Sequence, residues 1–315
     1  LNTLTKNHFL LRLSHERLEQ DLLAKPLTLR ETLARLRTLT DRSAPDPAPG
    51  LPGARDFVQL LGQSCQLEIA ALYERHEDGS YPEIPTATLG SPGPFDPADP
   101  LARYCLAQGK LAHVQTVDIP AAERSASRYL ICAPLMPSRG APVGMLVVEK
   151  LPFFALNEDA LQLLSVLIGY YADGVRLGQL AGAILDTLPD CPPELALDVV
   201  RLHRIKVEAD IESALVALVF DNDDSALDLF AQVKRLKRGV DLAWELTGPD
   251  RSALITLMPL AGTAAVDGYL LRIEAAIQSQ FGAGFLASKV TIHSARVGYT
   301  EPADMLHNLV QRCAL

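Results

Sequence analysis

From Ala214 to Phe220 the chain is apolar without a break ("ALVALVF"), and from Val240 to Leu246 apolar and polar residues alternate. The first stretch predicts a buried strand. The second predicts a strand with Val240, Leu242, Trp244 and Leu246 on one face and Asp241 on the other. Between and around them the 3.6-residue period predicts helices over 192–207, 226–237, 264–280 and 302–313, and strands over 252–258 and 290–297. A Gly248-Pro249-Asp250 turn joins the two middle strands. In order, the core reads β-α-β-β-α-β, the split ferredoxin-like plan, with an antiparallel sheet and helices on one face.

Ahead of this lies a second pattern. A helix, a strand ("LEIAALYER"), a Pro/Gly-rich excursion from Asp78 to Pro100, a short helix ("LARYCLAQGK"), two strands ("RYLICAPLM", "PVGMLVVEK") and a closing helix run from Asp56 to about Leu180. Leu4, Leu11 and Leu18, then Leu29, Leu33 and Leu36, make two helical stripes interrupted at Pro26. Their spacing predicts a coiled or docked helix; the alternative is a helix folded back on its own domain. "SAPDPAPGLPG" is a semi-rigid linker. The expected organisation is α/β in the α+β sense: a helical stalk and linker over 1–53, and domains over 54–182 and 183–315.

The 315 residues, 48% of them apolar, suffice for two cores. A net charge of −9 argues against a nucleic-acid polymer as partner, so an anionic partner must be met by a local basic cluster. The five cysteines are scattered, with no C-x-x-C and no His at ligand spacing, which predicts buried thiols and no metal site. No run is long and apolar enough to cross a bilayer. The chain begins at Leu1 without Met, which leaves room for a membrane segment upstream.

The chemistry concentrates in "RGVDLAWELTGPDR", Arg238 to Arg251. Arg238 is expected at a helix end with Gly239 as its C′ residue, which sets Arg238 and Asp241 at the lip of the sheet. Five residues, Leu242 to Leu246, separate Asp241 from "TGPDR"; "LITLMPLAGT", an amphipathic helix and "KVTIHSARVGY" follow. This arrangement resembles a diguanylate cyclase (GGDEF) domain: an inhibitory Arg-x-x-Asp, five residues, the Gly-Gly-Asp/Glu-Glu-Phe hairpin, a strand ending in Leu-Pro and a late Val-Thr-Ile strand. Residues 56–180 resemble a GAF domain, through the "CAPLMPSRGAPVGMLVVEK" hairpin and Phe154 to Asp159 at the start of the last helix. Asn157, Glu158 and Asp159 lack the order of the cyclic-nucleotide signature of GAF domains and read as helix capping. The GAF fold is therefore expected to serve contact, without a ligand.

The departures from the cyclase pattern decide what the resemblance implies. Thr247, Gly248 and Pro249 stand in the hairpin, and proline offers neither carboxylate nor N–H. The segment between Asp221 and Gly248 is shorter than in the family, and it is there that the family holds the guanine of its substrate. Asp221 to Asp224 read either as remaining metal acids or, preferred, as caps of the following helix. The resemblance thus implies a degenerate GGDEF domain without cyclase activity, a pseudoenzyme whose ligand is cyclic-di-GMP and which needs no cofactor. Arg238 and Asp241 would hold guanine, Arg272 would be a secondary contact, and Arg235 and Arg30 further contacts; Lys234 and Lys237 read as complements of the helix dipole. His203, His293 and His307 read as structural.

With a GAF domain and leucine-rich helix ahead of it, the chain is similar to the cytoplasmic parts of inner-membrane cyclic-di-GMP receptors that regulate exopolysaccharide synthesis and biofilm formation. The resemblance implies inner-membrane and cytoplasmic partners in a synthase complex, and a homodimer through the stalk. An active diguanylate cyclase under GAF control and a nucleotide-independent scaffold remain the alternatives.

Overall fold

The computed structural model describes residues 29–41, 50–76, 78–222, 224–236 and 242–314. These form two compact units that divide between Val175 and Arg176.

In the first unit, α1 (Leu29–Asp41) and α2 (Ala54–Cys65) precede strand β1 (Ile69–Glu74). Then come β2 (Ala87–Leu89), α3 (Pro100–Gln108), β3 (Ala112–His113), α4 (Ala121–Ala126), β4 (Ile131–Leu135), β5 (Gly144–Lys150) and the long helix α5 (Glu158–Thr187). The strands make an antiparallel sheet ordered β2-β1-β5-β4-β3. Side chains alternate across a strand. Ala70 and Leu72 of β1 therefore join Ile131, Ala133, Leu146 and Val148 in a core with α2 and α5. Ala71 and Tyr73 join Cys132, Met145 and Val147 in a second core on the opposite face. β1 and β5 approach so closely that a Cβ on Gly144 would lie 2.5 Å from the Tyr73 carbonyl, which excludes any larger residue.

The excursion 90–99 is fastened over that second face. Asp99 is buried, caps α3 through Leu101 N–H, and accepts from Ser127 Oγ and Arg128 N–H. Glu149 accepts from Gly93 N–H, and Phe95 packs against Tyr73 and Tyr81. The start of α5 is as expected: Asn157 Oδ1 accepts from Ala160 N–H, with Glu158 and Asp159 in the first turn.

Leu36 of α1 is fully buried in the first unit's own core, and Leu39 packs on the same cluster. This part of the leucine pattern is a helix folded back on its own domain, the reading the sequence placed second. Burying a leucine contributes about 1.5–3 kcal/mol, and α2 supplies the surface to do so. Leu4, Leu11 and Leu18 lie outside the described residues, as do the side chains of Leu29 and Leu33.

The second unit takes the end of α5, then α6 (Pro193–Ala209), β6 (Ser213–Asp221), α7 (Asp224–Arg235), β7 (Leu242–Thr247), β8 (Arg251–Met258), α8 (Thr263–Phe281), β9 (Thr291–Val297) and α9 (Pro302–Cys313). The antiparallel sheet is ordered β7-β8-β6-β9, the ferredoxin-like arrangement. The two helices of that core, α7 and α8, share one face as expected, and α6, α9 and the end of α5, outside the core, cover the other. Val216, Leu218 and Phe220 of β6 pack with α7 and α8. Leu215, Ala217 and Val219 pack with α6, α9 and the end of α5, beside Leu242, Trp244 and Leu246 of β7. Two covered faces are why β6 has no polar position to alternate with. Among the described residues no helix is long and apolar enough to cross a membrane.

Candidate functional site

The β7–β8 hairpin is bound down to the end of β6. Register pairs Asp221 with Arg251, whose Nε lies 3.2 Å from Asp221 Oδ1. Asn222, the next residue, does more. Its backbone N–H donates to the Asp250 carbonyl at 2.9 Å, and its Nδ2 to the Gly248 carbonyl at 2.9 Å. Its Oδ1 accepts from Ser252 Oγ at 2.7 Å. An amide is the side chain that offers a donor and an acceptor together, so one residue serves a carbonyl and a hydroxyl at once.

For Asp221 this corrects the reading of the acidic run. Asp221 neither caps the helix nor stands free for a metal: it ends β6, with a guanidinium against its carboxylate. A fixed positive charge there opposes a divalent cation. α7 begins at Asp224, two residues earlier than the sequence pattern suggested. Asp223 and the Asp224 side chain lie outside the described residues.

At the other end of α7 the basic residues gather. Arg235 is the helix's last residue and is exposed. Lys234, read from sequence as a complement to the helix dipole, makes an ion pair with Glu245 of β7 at 2.6 Å. Arg272 of α8 reaches across, and its Nη2 donates to the Leu236 carbonyl at 3.4 Å. Its guanidinium carbon lies 5.6 Å from the centroid of the Tyr269 ring, and the Tyr269 hydroxyl is 3.3 Å from Thr256 Oγ1 on β8. Arg272 is thus held over an aromatic face and directed at the end of α7. Carbonyls at a helix C-terminus carry partial negative charge, which favours cations there.

Of the residues singled out in the sequence, Arg235 and Arg272 therefore come to the same end of α7. Arg238 and Asp241 fall between Leu236 and Leu242, outside the described residues. Arg30 lies on α1, and its side chain is likewise outside them. The histidines have structural contacts: His203 Nδ1 with the Gly298 carbonyl, His293 with Arg312 and His307 with Gln311. Sequence reasoning missed Asn222. The one available signal was an Asn at a strand end, a residue type that readily bonds to nearby backbone.

Residues 189–313 match the family model of the PelD GGDEF domain, and residues 56–176 that of a GAF domain. No curated protein matches the chain. Among solved structures it is similar to PelD 158-CT from Pseudomonas aeruginosa PAO1, at 25% identity over 91% of this chain and 97% of that one, with a TM-score of 0.42. It is also similar to PelD 156-455 from Pseudomonas aeruginosa PA14 in complex with c-di-GMP, at 25% identity over 91% and 96%, with a TM-score of 0.41. A GAF domain from an Acinetobacter phosphoenolpyruvate-protein phosphotransferase covers 48% of this chain and 92% of its own at 16% identity, with a TM-score of 0.36.

Proposed function

We propose that this chain, which carries a GAF domain followed by a PelD GGDEF domain, is a cyclic-di-GMP receptor without cyclase activity. The observation that carries the reading is the hairpin. A domain matching the PelD GGDEF family holds Thr247-Gly248-Pro249 where a cyclase needs glycines and a carboxylate, and Asn222 and Arg251 tie that hairpin to the end of β6. Phosphoryl transfer depends on metal ions and positioned charge, and neither Pro249 nor the paired Asp221 supplies them.

What remains suits a nucleotide as ligand. A guanidinium forks onto guanine O6 and N7, and a carboxylate accepts from the N1–H and N2–H edge. Arg238 and Asp241 are the pair we assign to that task. Arg272 is the secondary contact from α8, and Arg235 and Arg30 are further contacts. Support comes from the five-residue interval to the hairpin and from the described basic residues converging on the end of α7. One similar protein, PelD from Pseudomonas aeruginosa PA14, is seen in complex with c-di-GMP. We assign the chain to the cytoplasmic region of a bacterial inner-membrane protein, with domains over 54–182 and 183–315 and a stalk in the residues ahead of α1, which itself packs on the first domain. Its effect is exerted on partners of a Pel-type exopolysaccharide synthase, as a homodimer joined through the stalk.

Calorimetric titration of the purified chain with cyclic-di-GMP, with GTP plus Mg²⁺ in a parallel cell, tests this. Saturable heat with cyclic-di-GMP and no product from GTP is expected. Conversion of GTP to cyclic-di-GMP, or no heat with the dinucleotide, overturns it.

A further inference from the structure

The face of the first sheet turned away from α2 and α5 gathers sulfur. Register sets Tyr73 of β1 against Met145 of β5, and Cys132 of β4 against Val147, one diagonal step from Met145 on the same face. α3 packs on β4 and brings Cys105 to that place, with its Sγ 3.5 Å from Met145 Sδ. Cys105, Cys132 and Met145 are all fully buried. Burial raises the Cys132 thiol, and the neighbouring Cys105 thiol raises it further. Two thiols and a thioether thus converge from a helix and two strands, and no C-x-x-C announces them because each comes from a different element.

Two hydroxyls beside the sulfurs are a second observation. Tyr73 is fully buried, and its hydroxyl has no hydrogen-bond partner among the described residues. The Tyr81 hydroxyl is also buried without a partner. Burial pushes it up to about 12, Arg75 works against this, and Cys105 adds to it, which sets Tyr81 beside that thiol. A buried donor without an acceptor destabilises a fold. A neutral thiol is a weak acceptor and a thiolate a strong one, so both donors suit sulfur that has lost its proton.

We propose that Cys105, Cys132 and Met145 form a binding site for a soft monovalent metal ion, Cu(I), with the Tyr73 and Tyr81 hydroxyls donating to the ligating sulfurs. Thiolate and thioether ligands together select Cu(I), whereas zinc takes Cys, His and carboxylate. On binding, each thiol gives its proton to solvent, and two thiolates with one Cu(I) leave a single negative charge for the hydroxyls to stabilise. The site lies in the first unit and does not depend on the nucleotide ligand proposed for the second.

The test is anaerobic titration of the full chain with Cu(I) held by the chelator bicinchoninate. The parent is expected to take about one equivalent from the chelator, release two protons and melt at a higher temperature. Cys105→Ala and Cys132→Ala should take none, although Cys65, Cys191 and Cys313 remain. Met145→Leu, which keeps the volume of the core should the alanine variants fold poorly, should bind Cu(I) about tenfold more weakly or worse. Tyr81→Phe separates the proposal from ordinary packing: without copper it should melt at or above the parent, since it removes an unpaired donor, yet bind Cu(I) about ten- to a hundredfold more weakly. No transfer from chelator to parent, uptake that persists in either cysteine variant, or parent-like affinity in Met145→Leu and Tyr81→Phe overturns the proposal.

Discussion

Asn222 joins the end of β6 to a carbonyl of the hairpin and a hydroxyl of β8, and its amide is suited to both. Asn222→Asp would place a carboxylate, which only accepts, against the Gly248 carbonyl. Its position is exposed, so water offsets part of the loss, and the variant should be less stable by about 1 kcal/mol in urea unfolding. An unchanged midpoint would show that the amide is incidental. Returning a carboxylate to the hairpin should not restore chemistry, because Arg251 still faces Asp221. Pro249→Glu with GTP and Mg²⁺ or Mn²⁺ is expected to give no cyclic-di-GMP by chromatography, and measurable product would contradict that. The thiols belong to the same scale. Burial pushes Cys65, Cys105 and Cys191 up to about 12 and raises Cys132 and Cys313 as well. The reactive form is the thiolate, and a raised value means that it is scarce at pH 8. A thiol reagent at that pH should label none of the five cysteines in the native chain and all five in denaturant.

Among the elements, α1 makes the clearest demand. Leu36 is fully buried in its own domain's core, so Leu36→Ala should destabilise the first unit by about 2–5 kcal/mol, as leucine truncations in cores do. A helix that served only to meet a second copy would leave melting of the dilute chain unmoved. The same helix shows the limit of periodicity, which reports that a face is covered and leaves open by what. Strongly patterned segments were legible: β6 through α9 appear in the expected order, with ends within two residues of those read from the pattern. The two residues of β3, the three of β2 and the six of α4 were not, because so few positions give no period and tertiary contacts alone define them. α5 runs to Thr187, past the expected end near Leu180, because no proline interrupts it and Ala181 and Ile184 find a second core to enter. Near the candidate site, the β7–β8 hairpin was legible because it is local. The Asn222 clasp was not, since its partners lie 26 and 30 residues away.

For the whole molecule, a net charge of −9 means that a dianionic ligand is drawn to one place only if basic residues are concentrated there. The end of α7, with Arg235 exposed and Arg272 directed at it, is such a place. Raising ionic strength should therefore weaken cyclic-di-GMP binding progressively, through screening of partly exposed charges, and salt-independent affinity would speak against a charge-assisted site. The central claim is that the Arg-x-x-Asp preceding the hairpin holds the ligand. Calorimetric titration of cyclic-di-GMP into the parent chain, Arg238→Ala and Asp241→Ala tests it most directly. Losing one partner of a charge-assisted hydrogen bond costs about 1.5–3 kcal/mol, so each variant should bind roughly ten- to a hundredfold more weakly while melting close to the parent. Variants that fold normally and bind cyclic-di-GMP as tightly as the parent would contradict the account and place the site elsewhere.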